Sequence, residues 1–81
     1  MHYVYILKSL QKRRIYIGCT SDLKSRIKSH NSGKDKATKH EIPWKLLYYE
    51  AYSDSKLALR RERNLKYHGK SLAMLKRRIG F

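Results

Sequence analysis

Two β-branched and aromatic runs, Tyr3-Val4-Tyr5-Ile6-Leu7 and Ile15-Tyr16-Ile17, stand seven largely polar residues apart near the start of the chain, and no other feature restricts the fold as much. Such runs suit a pleated, half-buried surface. The segment between them, Lys8 to Arg14, reads as a hairpin loop with loose strand ends. No Asn-Gly is there to demand a two-residue turn, so a four-residue loop built on a type I turn is expected. Centred between Leu10 and Gln11, that loop gives partners whose numbers sum to 21. Tyr5 would then lie directly opposite Tyr16 as a cross-strand pair.

A helix follows. Thr20-Ser21-Asp22 offers a hydroxyl cap and an acid for the first turn. Leu23 and Ile27, four apart, would face the core, and Arg26 and His30, also four apart, would share a neighbouring face. Asn31-Ser32-Gly33 ends the helix with a residue able to take positive φ. Pro43 cannot donate to a sheet and marks entry to a third strand, Trp44 to Tyr52. Asp54 or Ser53 caps a second helix reaching about Tyr67, with Gly69 as its stop, and Ser71 to Arg78 forms a short third helix striped by Leu72, Leu75 and Ile79. The predicted class is α+β: a three-stranded, mainly antiparallel sheet with flanking helices, order β-β-α-β-α-α. At 81 residues the chain has room for one core, so residues 1–81 are expected to form a single domain.

Twenty Lys and Arg against six Asp and Glu give a net charge of +14. Residues 1–31 carry seven basic residues and one acid (+6), 32–55 carry four of each (0), and 56–81 carry nine and one (+8). Two basic segments around a neutral one suit a polyanion, with nucleic acid ahead of acidic lipid. The longest apolar runs, such as Val4–Leu7, are far short of the ~20 residues of a membrane span. The single cysteine, Cys19, excludes an internal disulfide framework and a four-Cys zinc site. With no leader-like start, the chain reads as cytoplasmic.

Three groups of residues stand out chemically. Glu62 is the only acid among the last 26 residues, and at about 100° per residue it falls within the second helix's core-facing arc. A carboxylate there needs a cation, a hydrogen-bond set or a metal, and an internal salt bridge weighs evenly against a ligand role. Arg26 provides a fork matched to phosphate oxygens and His30 a proton carrier near neutrality, although spacing alone favours two solvated side chains. Tyr5 and Tyr16 read first as strand aromatics. A phenol titrates near ~10, so either one serves as a base only if cations lower that value.

Tyr3-Val4-Tyr5, ten intervening residues and then Tyr16-Ile17-Gly18 resemble the paired signature of the GIY-YIG nuclease superfamily. Arg26 matches the arginine ten residues beyond the second tyrosine, His30 the His or Tyr four later, and Glu62 in Leu59-Arg60-Arg61-Glu62-Arg63 the downstream helical glutamate. Nearly the whole chain is covered, and it looks like the small bacterial members, relatives of the excinuclease C N-terminal domain and of homing endonucleases. The signature's first glycine is replaced by Tyr3, and residues 65–81 contain no counterpart of the family's downstream asparagine.

The resemblance implies a metal-dependent endonuclease acting on DNA, in repair or recombination. It would use a single Mg²⁺ (or Mn²⁺) ion. Tyr5 would be the general base, with Tyr16 positioning water or phosphate. Arg26 would neutralise the phosphate oxygens, His30 would hydrogen-bond to a tyrosine or relay a proton, and Glu62 would hold the metal. Lys12, Arg13, Arg14, Lys34, Lys36, Lys39, Arg60, Arg61, Arg77 and Arg78 would hold the DNA backbone without reading sequence. A monomer or weak dimer, with a partner protein supplying specificity, would complete the picture. The alternative is a non-catalytic nucleic-acid-binding module with a degenerate site, which the missing asparagine permits.

Overall fold

A computed structural model describes all 81 residues, Met1–Phe81. The strands are β1 (His2–Ser9), β2 (Ile15–Thr20) and β3 (Trp44–Tyr52); the helices are α1 (Leu23–Asn31), α2 (Ser55–Tyr67) and α3 (Gly69–Ile79). A 3₁₀ turn, Lys39–Glu41, lies before β3. The sheet order is β2-β1-β3 and both pairings are antiparallel. The expected class and element order are therefore found. No helix is long and apolar enough to cross a membrane.

Central β1 is covered on both faces, which explains its unbroken run Val4–Leu7, all four residues at most 1% exposed. Burying each such side chain contributes about 1.5–3 kcal/mol. Val4 and Ile6 pack with Ile17 of β2 and with Ala58, Leu65 and Leu75 of α2 and α3. Tyr5 and Leu7 face the other way and pack with Trp44, Tyr16 and the α1 residues Leu23 and Ile27. The two layers of helix thus sit on opposite faces of one small sheet.

The hairpin register differs from expectation by two residues. Tyr5 pairs with Gly18 and Leu7 with Tyr16, so partner numbers sum to 23. The Ser9 hydroxyl causes the shift: it accepts from the Gln11 and Lys12 amides at 3.1 and 3.0 Å and pins the loop one residue further along. Because the slip is by two, Tyr5 and Tyr16 still share a face, as diagonal rather than direct neighbours.

A bulge interrupts the β1–β3 pairing. Ile6 pairs with Tyr48 but Leu7 with Leu46, leaving Leu47 as an extra residue. Trp44 and Leu46 consequently join the α1 face, while Tyr48 and Tyr52 join the α2 face. Helix ends also differ in detail. Asp22 itself caps α1, accepting from the Ser25 amide at 3.1 Å, and Thr20 instead receives the Asp22 amide. Asp54 caps α2 as expected. Gly69 does not end α2: His68 separates the helices, and Gly69 opens α3. Gly33 and Gly80 take the positive φ values, +79° and +75°, that follow α1 and α3.

Candidate active site

The α1 face of the sheet carries a buried polar chain. Tyr5 is 1% exposed and His30 fully buried. The Tyr5 hydroxyl lies 2.9 Å from His30 Nε2, and His30 Nδ1 lies 2.8 Å from Thr38 Oγ1, itself fully buried. Register explains the first contact. Tyr5 stands opposite Gly18, where a Cβ would fall 2.5 Å from the Tyr5 Cζ. Only glycine lets the phenol lie across β2 and reach the helix. Tyr16 is only partly buried and its ring centre is 4.8 Å from that of His30 and 6.3 Å from that of Tyr5.

Arg26, one turn before His30 on α1, donates through Nη2 to Asp35 Oδ2 at 2.9 Å and keeps 41% of its side chain exposed. The same Asp35 oxygen is 3.7 Å from His30 Nδ1. Burial pushes the Tyr5 phenol up to about 12, against the pull of Arg26. Burial also holds the His30 imidazole below its ordinary value, with Asp35 opposing. The lowering of Tyr5's pKa that its role as base requires is therefore not found. Desolvation of the phenolate outweighs the guanidinium.

The structure brings Tyr5, Tyr16, Arg26 and His30 together but not Glu62. On the helical wheel, buried Ala58 and Leu65 mark the core at about 90°, with Arg61 near 40° and Glu62 near 140° as its two flanks. Glu62 flanks toward β2, where its carboxylate helps raise the Cys19 thiol after burial. It is ion-paired with Lys66 at 3.3 Å, and its side chain is 20% exposed. Cys19 shares the α2-side cluster, so Glu62 approaches from the layer opposite the tyrosines. No three His, Cys, Asp or Glu side chains gather into a cage for an ion.

Arg61 departs from its expected role on DNA. Its Nε and Nη2 donate to Glu50 at 3.0 and 3.1 Å, and Tyr48 and Tyr52 donate to the same carboxylate at 2.7 and 2.6 Å. Burial alone would raise the Glu50 carboxyl, but these hydrogen bonds outweigh it and hold it low. Lys12, Arg13, Arg14, Lys34, Lys36, Lys39, Arg60, Arg77 and Arg78 are exposed, Arg14 lying 3.4 Å from Glu41. The hairpin tip and the chain end, far apart in sequence, meet: Arg13, Lys8, Gly80 and Phe81 line one cleft, with Lys8 and Lys76 over the Phe81 ring. A groove of about 490 Å³ on the other side of α1, between Tyr3, Leu23, Ile27, Leu46 and Tyr49, holds none of the expected site residues.

Asp35 and Thr38 escaped the sequence reading. Asp35 had a signal, as the only acid between Asp22 and Glu41, set between Lys34 and Lys36. Thr38 had none.

Comparison with known proteins accords with this geometry. Residues 1–77 match the family model of the GIY-YIG catalytic domain. UPF0213 proteins of Streptococcus pyogenes serotypes M3 and M1 are 41% identical over 61 residues, covering 74% of this chain and 65% of theirs. The match thus spans just under two thirds of those relatives' length. The solution NMR structure of the UPF0213 protein BH0048 from Bacillus halodurans aligns with a TM-score of 0.56 at 35% identity, covering 91% of this chain and 81% of that one. By sequence and by fold, the chain belongs to the GIY-YIG family of nuclease catalytic domains, among its UPF0213 members.

Proposed function

We propose that this chain hydrolyses phosphodiester bonds in DNA, as a metal-dependent endonuclease of repair or recombination. The observation that carries the reading is the meeting of a partly open phenol, Tyr16, with a half-exposed arginine, Arg26, over a buried Tyr5–His30 pair. Arg26 has donors left for non-bridging phosphate oxygens, where charge builds in the transition state. Tyr16, and not the buried Tyr5, is then the phenol that meets the attacking water and positions it beside the phosphate. Tyr5 and His30 hold the floor of the site and keep water out of it.

GIY-YIG nucleases generally use divalent metal ions. Glu62 fits one mode only, a single carboxylate sharing the ion with substrate oxygens and water, as Mg²⁺ prefers. Its pair with Lys66 is of the i,i+4 type worth ~0.3–0.5 kcal/mol, so the carboxylate is easily released. The ion would neutralise the phosphate and leaving oxygen. Since β2 is an edge strand with Tyr16 on one face and Cys19 beside Glu62 on the other, we place the scissile phosphate along that edge. The exposed lysines of the 34–39 loop and the basic cleft at the hairpin tip would hold the flanking backbone.

Glu62's separation from the tyrosines favours one other reading, a DNA-binding module without turnover. Incubation with supercoiled plasmid, single strands and branched DNA, with Mg²⁺ or Mn²⁺ against EDTA, separates the two. Cleavage that stops with EDTA is expected; binding without cleavage on every substrate would leave the binding module.

A further inference from the structure

The loop after α1 reaches the site through one side chain, Asp35. That side chain is 15% exposed and fixed by its own turn: Oδ1 accepts from the Ala37 amide at 2.9 Å, and the Asp35 carbonyl accepts from the Thr38 and Lys39 amides at 3.2 and 3.0 Å. The turn therefore sets two things at once. It places Thr38 Oγ1 against His30 Nδ1, and it leaves Asp35 Oδ2 between Arg26 at 2.9 Å and His30 Nδ1 at 3.7 Å.

We propose that Asp35 is a positioning residue of the active site, whose carboxylate keeps the His30 proton on Nδ1 and holds the Arg26 fork in one rotamer beside the tyrosines. A neutral imidazole carries its proton on either nitrogen, and its surroundings choose. Neither immediate neighbour can choose, because the hydroxyls of Thr38 and Tyr5 each donate or accept. Asp35 offers only acceptor oxygens and a negative charge, and it stands on the Nδ1 side. With N–H at Nδ1 donating to Thr38, Nε2 is bare and accepts the Tyr5 O–H. Tyr5 is thereby fixed as a donor into the helix, which leaves Tyr16 as the phenol that meets the attacking water. An arginine already held in one rotamer also loses less freedom when a phosphate arrives.

The tautomer assignment stands on geometry alone; its catalytic consequence rests on the nuclease reading. Two measurements test them separately. Long-range ¹H–¹⁵N NMR on the labelled full chain, with the His30 signals identified by their loss in His30→Gln, reads the tautomer. Nδ1–H is expected in the wild type, and loss of that preference in Asp35→Asn, which keeps shape but not charge. Turnover of Asp35→Asn should fall about tenfold, the lower end for loss of a supporting partner. Its DNA affinity should be unchanged or tighter, since net charge rises by one. Nε2–H in the wild type overturns the proposal, whether or not the variant folds. So does a folded variant that keeps both the tautomer and full turnover, or one whose lost activity follows weakened DNA binding. A wild type that cleaves nothing would remove the nuclease reading while the NMR result still decides the placement of the proton.

Discussion

On the α2 face, Glu50 accepts from Tyr48, Tyr52 and the Nε and Nη2 groups of Arg61, and that arginine side chain is 28% exposed. On the α1 face, the Tyr5 hydroxyl meets His30 Nε2 at 2.9 Å, and Arg26, 41% exposed, shares one acid at the rim. Both faces set tyrosine beside an arginine–carboxylate pair, Tyr5 buried on one and Tyr48 and Tyr52 half-buried on the other. The Glu50 carboxylate is saturated, each oxygen accepting at least two donors, and a satisfied network fixes a fold. The α1 arrangement keeps donor capacity open to solvent, which is what a substrate requires. Net charge and residue type do not separate the two; the filling of the shared carboxylate and the exposure of its arginine do.

Removing the acceptor of the saturated face should have the largest effect. Glu50→Ala strands Arg61 and two phenols and is expected to cost about 3 kcal/mol, the low end for breaking a buried pair because Arg61 retains some water. Urea unfolding measures it, and a loss under about 1 kcal/mol would put this face on the same footing as a solvated surface. Next comes the open face. Tyr16→Phe should lower cleavage by about 10²-fold with an unchanged unfolding midpoint. Tyr5→Phe, by contrast, strands His30 Nε2 and should lose about 1–3 kcal/mol of stability. Wild-type turnover in Tyr16→Phe would return that ring to the core.

The smallest effect separates the faces by pH. His30 has a folded pKa below its unfolded value near ~6.5, so below that pH the unfolded chain binds a proton that the native state refuses. Its stabilising contribution is complete above about 6.5 and is lost as pH falls toward the lowered folded value. Glu50 is also lowered, but from the carboxylate range, so its contribution is lost only below about 4.3. Unfolding at pH 7, 5.5 and 3.5 should show two separate declines. His30→Gln should flatten the first and Glu50→Gln the second; a single shared decline would mean the faces are not independent.

Much of this was legible in the chain. Strand and helix order, the Trp44–Tyr52 strand and the sharing of one face by Tyr5 and Tyr16 follow from alternation and turn chemistry. The hairpin register did not follow, because a single Ser9 hydroxyl resets the loop. The wheel for α2 singled out Glu62 as core-facing, whereas it is Arg61, on the other flank, that meets a buried acid. Which flank meets a buried acid depends on β3, and no local pattern carries that. For the same reason Arg61 read as a DNA contact although Glu50 claims it. Burial of Tyr5 depends on Gly18 lying opposite, a consequence of the corrected register.

The extra residue Leu47 gives β3 two reading frames. Ahead of it the even-numbered positions, Trp44 and Leu46, serve the α1 side; after it the even-numbered positions, Tyr48, Glu50 and Tyr52, serve the α2 side. A strand that merely alternated would have to send Trp44 and Glu50 into the same layer, mixing an apolar wedge with a charge cluster. The inserted residue acts as a phase shift that lets one short strand spell two incompatible words. The open α1 face and the charge cluster of the α2 face are therefore joined at one peptide unit, and a change of length there alters both at once.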